Sequence, residues 1–527
     1  MNRTPVEPTA PADPAGASRW RNWTTPLAIA GWLALAKLLI HFFTNGQYGY
    51  FRDELYFLAC GEHVDWGYVD HAPMVAWMAW LSRALLGDSL FAIRFFPAVA
   101  GAVMVFLAGA MARELGGGRL AVFWAGLCAL AATIYLGIDS LLSMNALEPV
   151  FWMGAVWCAL RAVRLDEPRY WLGFGALLGL GFMNKHSTIF FAAALVAGLL
   201  LTRARRALSS RWFWAGAALA VVIILPNVIW EWRHDWATLE LLRNVRATGK
   251  NVIHPPVEFL VQQLLIMNPL TLPVWLAGLW FFLADQAGRR HRHLGLAFLV
   301  FLGLMIVMHA KHYYVAPAYP MLFAAGGVWW AGWLDRRRAL RWLKGAYPAL
   351  LVAGGAALAP LVLPVLPVEA VPGYMAALGL QRLKTEVAHE GPLPQHFGDM
   401  FGWPEMVAAV ARVYHGLPEA ERSRACIFAG NYGEAGAIDF FGGRHGLPKA
   451  ISGHQSYFLW GPRDCTGEVV ILLQVSREDA LDVFHRVEEA ERVEHPWAMA
   501  EERLTIRVGR DPKIPLGELW PRVKHWN

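Results

Sequence analysis

Charged residues are scarce in this 527-residue sequence. Asp, Glu, Lys and Arg together make up 17% of the chain, and hydrophobic residues make up 56%. Soluble domains contain about 25% charged residues. The composition therefore excludes a chain that is soluble throughout, and it indicates an integral membrane protein with room for a soluble part.

Cysteine is also rare, and its spacing matches no metal-binding or redox motif. The chain has five cysteines and no C-x-x-C pair. Three lie in or beside apolar segments, where a small buried side chain is the simplest interpretation: Cys60, Cys128 and Cys158. Cys426 and Cys465 form one disulfide only if their domain faces an oxidising compartment, and the sequence leaves that pairing open.

No concentrated basic patch for nucleic acid is present, although the formal net charge is +6. The arginines instead lie in short loops between apolar runs, which is typical of membrane topology. Runs long enough to cross a bilayer occur near 27–43, 90–112, 120–137, 146–163, 213–230, 264–284, 294–309, 314–334 and 346–366. A further pair, 171–183 and 188–202, is interrupted by "NKHS" and consists of two short halves. The sequence thus predicts about eleven spans.

Every second loop carries arginines, and the positive-inside bias makes these loops cytoplasmic. They contain Arg113 and Arg119; Arg161, Arg164 and Arg169; Arg203, Arg205, Arg206 and Arg211; Arg289, Arg290 and Arg292; and Arg336, Arg337, Arg338, Arg341 and Lys344. The Pro/Ala-rich segment 1–26, with Arg19 and Arg21, falls on the same side and is predicted to be disordered. The intervening loops face outward. They contain the stretch 48–73 with Asp53 and Glu54; Asp139, Asn145 and Glu148; Lys185 and His186; the segment 231–262; and Lys311, His312, Tyr313 and Tyr314.

Residues 368–527 have ordinary soluble composition and are predicted to form an extracytoplasmic α/β domain behind a transmembrane domain at 27–366. "RACIFAG", "EVVILLQVS" and "RLTIRVG" predict strands, and "SREDALDVFHRVEEAE" predicts an amphipathic helix. "AGNYGEAGAIDFFG" predicts a strand, a glycine turn and a helix. Its G-x-x-G is a weak phosphate or sugar motif, and a plain tight turn is the simpler interpretation.

The first outer loop carries adjacent carboxylates, Asp53 and Glu54, between aromatic residues. Adjacent side chains point in different directions, so one carboxylate can face a pocket while the other makes structural contacts. The apolar "LYFLAC" that follows predicts a helix lying on the membrane surface. A carboxylate held against apolar surface suits a general base with a raised pKa, whereas the alternative is a solvated loop charge.

Other polar residues of the outer loops are candidates for substrate binding, each with a simpler alternative. Glu148 and Asn145 stand at the mouth of a span, where a hydrated interface residue is the alternative to a site. Lys185 interrupts an apolar run and either binds an anion or snorkels to the interface. Lys311 could hold a phosphate, and Tyr313 beside it either lines the site or anchors the chain in an aromatic belt.

The outer-face histidines show no metal-ligand spacing. We therefore predict no cofactor and no metal ligand from sequence, while a divalent metal held by distant loops stays open. Carboxylates for a base and lysines for an anion meet at the water–lipid boundary. This pattern favours a substrate with a lipid tail and a phosphate head.

Five motifs carry a resemblance to a known family: "RDELYF", "GYVDHAPMVAWM", "SMNALEPVFWMG", "GLGFMNKHS" and "KHYYVAPAYPMLFAAGGV". Over most of 25–340 the chain resembles bacterial members of the protein mannosyltransferase-like glycosyltransferases (family 39/83, GT-C fold). The resemblance implies an inverting transferase in the bacterial inner membrane. Such a transferase is expected to move a sugar from a polyprenyl-phosphate donor to a hydroxyl of a lipid, glycan or protein on the outer face.

By position, Asp53 matches the catalytic aspartate of that family and Glu54 its neighbour. The predicted substrate-binding residues are Glu54, His71, Asn145, Glu148, Lys185, Lys311 and Tyr313, with Arg243, Arg246 and Lys250 as further phosphate candidates. Many relatives have Lys-Pro-Pro where this chain has His71-Ala72-Pro73, and a neutral histidine is a weaker phosphate partner. A lipid or sugar transporter and a non-enzymatic membrane receptor remain as alternatives.

Overall fold

The computed structural model describes residues 23–249, 252–380, 391–499 and 504–527. Nearly all of the predicted disordered tail, with Arg19 and Arg21, lies outside these residues, as does Lys250. Within them, every predicted apolar run contains a helix.

The membrane part is helical because its apolar runs satisfy their backbone groups internally. Its helices are Pro26–Thr44, Arg52–Glu62, Met74–Leu86, Leu90–Ile93, Phe95–Glu114, Arg119–Ala131, Thr133–Ile138, Met144–Arg164, Tyr170–Asn184, Thr188–Leu200, Arg211–Arg233, Ala237–Thr248, Pro256–Ile266, Leu272–Leu283, Arg292–Val307, Tyr319–Arg336, Leu343–Leu358 and Val371–Ala377. Short 3₁₀ segments lie at Arg203–Ser209, Pro269–Thr271, Arg289–His291, His312–Ala318, Arg338–Leu340, Ala359–Leu361 and Val368–Ala370.

Among the described residues, five helices are long and apolar enough to cross a membrane, or up to seven if each of two bent helix pairs forms one span. One bent pair joins Thr188–Leu200 to Arg203–Ser209 at 112°. The two halves around "NKHS" are short, as predicted, with 15 and 13 helical residues. The chain is thus a multi-pass membrane protein, while the count of eleven spans stays a prediction.

Glycines let two of the membrane helices touch along their backbones. A Cβ atom on Gly175 would lie 1.9 Å from the carbonyl oxygen of Gly216, and one on Gly216 would lie 2.1 Å from that of Trp171. Close contact between small residues is a main source of helix association in lipid. This contact holds Tyr170–Asn184 against Arg211–Arg233. Lys185 directly follows the C-terminus of Tyr170–Asn184, so its backbone position depends on this packing.

A buried ion pair ties the first helix to the segment after the third apolar run. The ammonium of Lys37 lies 2.9 Å from the Asp139 carboxylate and donates to the carbonyl of Tyr135 at 2.7 Å. Both charged side chains are at most 1% exposed. Asp139, predicted to belong to an outer loop, is therefore a structural partner inside the protein.

The tail domain is built on a four-stranded sheet in the order β1-β2-β4-β3. Its strands are β1 (Ala425–Phe428), β2 (Val469–Leu472), β3 (Phe484–Arg492) and β4 (Thr505–Pro512). The first pair is parallel and the other two are antiparallel. Helices lie at Gln395–Gly398, Trp403–Gly416, Glu419–Arg422, Tyr432–Phe441, Ser456–Trp460, Arg477–Val483 and Leu516–Leu519, with 3₁₀ turns at Gly442–His445 and Trp520–Val523.

The three predicted strands of the tail are confirmed, and one predicted helix is partly wrong. "SREDALDVFHRVEEAE" is helical only over Arg477–Val483, and the rest is β3, which pairs with β4. One side of β4 pairs with β2, and the N–H and C=O groups on its other side pair with β3. This pairing outweighs the helical pattern of the segment. Cys426 and Cys465 form the disulfide that the sequence left open.

Candidate active site

The site begins at the first-loop helix, Arg52–Glu62, which places its two adjacent carboxylates on different sides. Asp53 points to a partly open space, with its side chain 35% exposed, whereas Glu54 is fully buried. The prediction that the two carboxylates diverge is confirmed. A helix rotates about 100° per residue, so neighbouring side chains cannot share one pocket.

Glu54 is held entirely by the protein. Each of its two oxygens accepts one bond from the Arg94 guanidinium, at 2.9 and 2.7 Å, and one backbone N–H, from Leu142 and Phe51, at 2.9 Å each. Arg94 is 1% exposed. The predicted substrate contact of Glu54 is therefore replaced by a structural role, because its acceptor positions are occupied and no surface remains for a ligand.

Replacing Arg94 with methionine is expected to destabilise the protein by about 3–5 kcal/mol, since it leaves the Glu54 charge buried and unpaired. The free energy of unfolding of the purified protein in detergent measures this. The double variant Glu54→Leu/Arg94→Met removes both charges and should recover most of the loss. Equal destabilisation in the single and the double variant would contradict the ion-pair explanation.

Asp53 is held by a tyrosine of the tail domain. The Tyr432 hydroxyl donates to Asp53 Oδ1 at 2.8 Å, and the Arg52 guanidinium lies 3.8 Å from the same oxygen. Arg52 also stands over the Tyr432 ring, 5.7 Å from its centre. These contacts orient the carboxylate while part of it stays open, which is what a proton acceptor for an incoming hydroxyl requires.

The tail reaches Asp53 because its Tyr432–Phe441 helix packs directly on the first-loop helix. A Cβ atom on Gly436 would lie 2.8 Å from the backbone carbonyl carbon of Leu55, and one on Gly433 would lie 2.4 Å from Cγ of Arg52. These two glycines are the G-x-x-G of the sequence. The motif therefore serves close helix packing in this structure, and the weak interpretation as a phosphate or sugar motif loses its support.

The same packing defines the environment of the first-loop helix. Residues 54–61 are all buried, with the tail helix and Met74–Leu86 against them. The helix predicted from "LYFLAC" exists and protein covers it, while its position on the membrane surface stays a prediction. Its apolar residues satisfy a protein interface, which the local pattern alone cannot distinguish from lipid.

Gly436→Ala is expected to destabilise the contact between tail and membrane part by about 1–3 kcal/mol, because the new methyl group meets backbone that cannot rotate away. The shift should move Tyr432 from Asp53 and lower activity. Gly443→Ala is the matched control, since a Cβ atom there meets nothing within 4 Å. Thermal unfolding and turnover of both variants test this, and equal behaviour of the two would contradict the packing role.

A second carboxylate, Asp70, lies close to Asp53. The Tyr56 hydroxyl donates to Asp70 at 2.8 Å and accepts the backbone N–H of Ser456 at 3.2 Å. Burial raises the pKa of Asp70, the neighbouring His71 opposes the shift, and the negative charge of Asp53 adds to it. Asp70 belongs to the motif "GYVDHAPMVAWM", but the sequence alone does not predict a role for it in the site.

A group around Lys185, the lysine cluster, joins residues of three loops that are predicted to face outward. Its ammonium donates to Asn145 Oδ1 at 2.9 Å and to Glu148 Oε2 at 3.0 Å. It also stands 4.2 Å from the centre of the Tyr314 ring and 5.6 Å from that of Tyr313. Four of the predicted site residues, Asn145, Glu148, Lys185 and Tyr313, thus come together from distant parts of the chain.

Charge and geometry leave the lysine cluster able to bind an anion. An ammonium has three N–H donors, and the described residues accept two of those of Lys185. Glu148 is 1% exposed and its other oxygen accepts the Ser187 hydroxyl at 2.5 Å. The third donor of Lys185 has no hydrogen-bond acceptor among the described residues, and the ammonium stands beside the Tyr314 ring.

Tyr313 connects the lysine cluster to Asp53 electrostatically. Burial raises the pKa of Tyr313, Tyr314 adds to the shift, Lys185 opposes it, and both Asp53 and Glu148 raise it further. The half-buried Tyr313 thus lies within the fields of the candidate base and of the candidate phosphate-binding lysine. Asp53 and Lys185 therefore both lie near the same tyrosine.

Two other predicted residues do not join this group. His71 is 2% exposed, with Nδ1 2.9 Å from the Ala72 carbonyl, Nε2 3.7 Å from Cys60 Sγ and its ring stacked on Tyr68. Both nitrogens face protein atoms, so His71 packs the loop instead of making the predicted substrate contact. Lys311 precedes the His312–Ala318 turn, and among the described residues its ammonium contacts no member of the lysine cluster.

The remaining phosphate candidates that the structure describes are Arg243 and Arg246. Arg243 and Arg246 are exposed on Ala237–Thr248. Within the described ranges, no group of three or more His, Cys, Asp or Glu side chains is placed to hold a metal ion. Tyr432 was not found from sequence, because nothing in the tail indicates which membrane loop it meets.

Comparison with known proteins finds a family model that matches part of this chain. Residues 70–230 match the family model described as dolichyl-phosphate-mannose-protein mannosyltransferase. This segment contains Asp70, Asn145, Glu148 and Lys185 and begins after Asp53. The match confirms the resemblance predicted from the sequence motifs.

Two characterised proteins are similar to this chain in sequence. The lipid A galacturonosyltransferase RgtD of Rhizobium johnstonii is 26% identical over 59% of this chain and 65% of its own. The undecaprenyl phosphate-alpha-4-amino-4-deoxy-L-arabinose arabinosyl transferase of Aeromonas salmonicida is 31% identical over 21% of each chain. The chain therefore spans less than two thirds of either relative.

Among solved structures, ArnT from Cupriavidus metallidurans bound to undecaprenyl phosphate is similar over 90% of this chain and 97% of its own, with a TM-score of 0.60 and 14% identity. The apo form gives a TM-score of 0.58. At this identity the likeness shows the fold alone. It confirms the predicted GT-C-like membrane architecture with a small α/β tail domain.

Proposed function

We propose that this protein is an inverting membrane glycosyltransferase that moves a sugar from a polyprenyl-phosphate donor to an acceptor hydroxyl, with Asp53 as the general base. The observation that carries the proposal is the joining, around Tyr313, of a partly open carboxylate and a lysine with a spare donor. The first suits an acceptor hydroxyl and the second suits a phosphate.

The proposed step breaks one bond and forms one. Asp53 takes the proton of the acceptor hydroxyl as its oxygen attacks the anomeric carbon from the face opposite the phosphate. The bond between that carbon and the phosphate oxygen breaks, its electron pair stays on the polyprenyl phosphate, and the anomeric configuration inverts. Because the phosphate is already a good leaving group, no general acid is required.

Lys185 has the role of stabilising the charge that develops on the departing phosphate. A preorganised cation in a site screened from water contributes more than it would in bulk solvent. Asn145 and Glu148 position this ammonium, since both accept its hydrogen bonds. Arg94 and Glu54 act one step further away by fixing the helix that carries Asp53.

The substrates follow from the relatives and from the site. The name of one relative gives an undecaprenyl-phosphate-linked sugar and that of another gives lipid A. We therefore propose a polyprenyl-phosphate sugar as donor and a lipid of the cell envelope as acceptor. We place the site and the tail domain outside the inner membrane and the arginine loops in the cytoplasm, and the disulfide in the tail agrees with that side.

A transfer assay tests the proposal. Purified protein receives a radiolabelled polyprenyl-phosphate sugar and an envelope lipid extract, and label entering the acceptor and release of polyprenyl phosphate are both measured. We expect both, in equal amounts. We further propose that the reaction needs no metal ion, so that activity persists in the presence of EDTA. Loss of activity in EDTA with recovery on adding Mg²⁺ would contradict the metal-free mechanism.

The same assay separates the alternatives. A flippase would move the labelled donor across the membrane of a proteoliposome without breaking its sugar–phosphate bond, and a receptor would bind it without turnover. Mass spectrometry of envelope lipids from a strain lacking the protein then identifies the sugar and the acceptor. An unchanged lipid profile together with an inactive purified protein would overturn the proposed function.

A further inference from the structure

Loops that do not contribute to the Asp53 site enclose a second, basic cavity of about 940 Å³. It lies where the Thr188–Leu200 helix bends into the Arg203–Ser209 segment, against the turn that begins Arg292–Val307. Five arginines line it: Arg203, Arg205, Arg289, Arg290 and Arg292. We call it the arginine cavity. All five arginines belong to loops that the sequence predicts to be cytoplasmic.

The positive charge of the arginine cavity is not neutralised by the protein. None of its lining residues is Asp or Glu. Across the described ranges, none of the five arginines makes an ion pair, and the polar contact found is from Arg292 to the Leu283 carbonyl at 2.8 Å. The adjacent Arg161 and Arg164, by contrast, both pair with Glu114. Five like charges around one space repel each other unless an anion joins them.

A buried polar side chain beside the arginines also lacks a partner among the described residues. His291, between Arg290 and Arg292 in the chain, is 1% exposed, and neither of its ring nitrogens has a hydrogen-bond partner among the described residues. Buried polar side chains are nearly always hydrogen-bonded. The positive-inside bias accounts for arginines in this loop, but it does not account for a cavity between them or for the buried His291 without a hydrogen-bond partner among the described residues.

We propose that the arginine cavity binds the phosphate headgroup of an anionic phospholipid. The planar guanidinium donates two parallel hydrogen bonds to phosphate, so several arginines can surround one headgroup. Apolar walls from Leu201, Leu283 and Leu296 suit the beginning of the acyl chains. Basic pockets between membrane helices at the cytoplasmic surface are typical sites for such lipids. This site is separate from the transfer reaction and does not depend on it.

Binding of fluorescent phosphatidylglycerol to the full-length protein in neutral detergent tests the proposal, with phosphatidylcholine as the zwitterionic comparison. Arg203→Gln/Arg289→Gln is expected to weaken phosphatidylglycerol binding about 10- to 100-fold, since two or more charge-assisted hydrogen bonds are lost. The matched control is Arg338→Gln/Arg341→Gln, which removes the same charge from another predicted cytoplasmic loop outside the cavity. Its affinity should change less than about twofold, because general attraction between dispersed charges is weak.

Two further experiments, a lysine double variant and competition by inorganic phosphate, control for misfolding and identify the source of the phosphate. Arg203→Lys/Arg289→Lys keeps the charge but loses the two-pronged geometry, so an intermediate loss is expected even if the glutamine variant fails to fold. Unchanged affinity in the lysine and glutamine variants would overturn the site, as would equal loss in the control pair. Competition by millimolar inorganic phosphate as strong as that by phosphatidylglycerol would overturn the lipid assignment in favour of a soluble phosphate compound.

Discussion

Asp53→Asn is expected to lower kcat for sugar transfer about 10²- to 10⁴-fold, the usual contribution of a positioned general base. Asparagine has nearly the same shape, and its carbonyl oxygen can still accept the Tyr432 hydroxyl, which lies 2.8 Å from Asp53 in the native chain. It cannot take a proton from the acceptor. Initial rates at saturating donor and acceptor measure the effect, and donor binding should change little.

Asp482→Asn is the matched control for this variant, because it makes the same change at an exposed carboxylate of the tail domain. Its rate should equal that of the unaltered protein. Thermal unfolding of both variants shows that the chain still folds. Near-normal turnover of Asp53→Asn would eliminate Asp53 as the base and leave Asp70, the neighbouring carboxylate, as the next candidate.

Lys185→Met is expected to lower kcat about 10²- to 10³-fold, because the charge on the departing phosphate loses a preorganised cation. Release of polyprenyl phosphate in a single turnover measures this most directly, since the step that forms it is the step that Lys185 assists. Lys344→Met is the control. It removes a lysine that pairs with Asp335 in a predicted cytoplasmic loop, and activity should persist.

Stability and chemistry must be separated in this case, because Lys185→Met also leaves the buried Glu148 carboxylate without its cation. The single variant should therefore lose about 3–5 kcal/mol of stability as well. The double variant Lys185→Met/Glu148→Gln removes both charges and should recover stability without recovering turnover. If turnover returned with stability, Lys185 would be a structural residue only.

Several features of the fold could be predicted because they depend on local composition. Apolar runs must become helices in lipid, and the structure has a helix in each of them. The strands β1, β2 and β4 follow from short β-branched runs between turn residues. The segment that became β3 was predicted wrongly, because its partner strand β4 decided its conformation.

In the candidate site, too, local geometry could be predicted from the sequence, whereas contacts between distant residues could not. Adjacent positions on one helix separate Asp53 from Glu54, and this followed from helical geometry. The roles of His71 and Glu54 did not follow, since a motif lists residues without their neighbours. Glu54 became structural because Arg94 reaches it, and His71 did so because Tyr68 and Cys60 enclose its ring.

The order of apolar runs and arginine loops was enough to identify a multi-pass membrane protein, because the transfer of each segment into lipid depends on that segment alone. The meeting of Lys185 with Asn145 and Glu148, and of Asp53 with Tyr432, depends on contacts between segments far apart in the chain. Such contacts are set by how whole helices pack, through surfaces such as Gly436 against the first-loop helix.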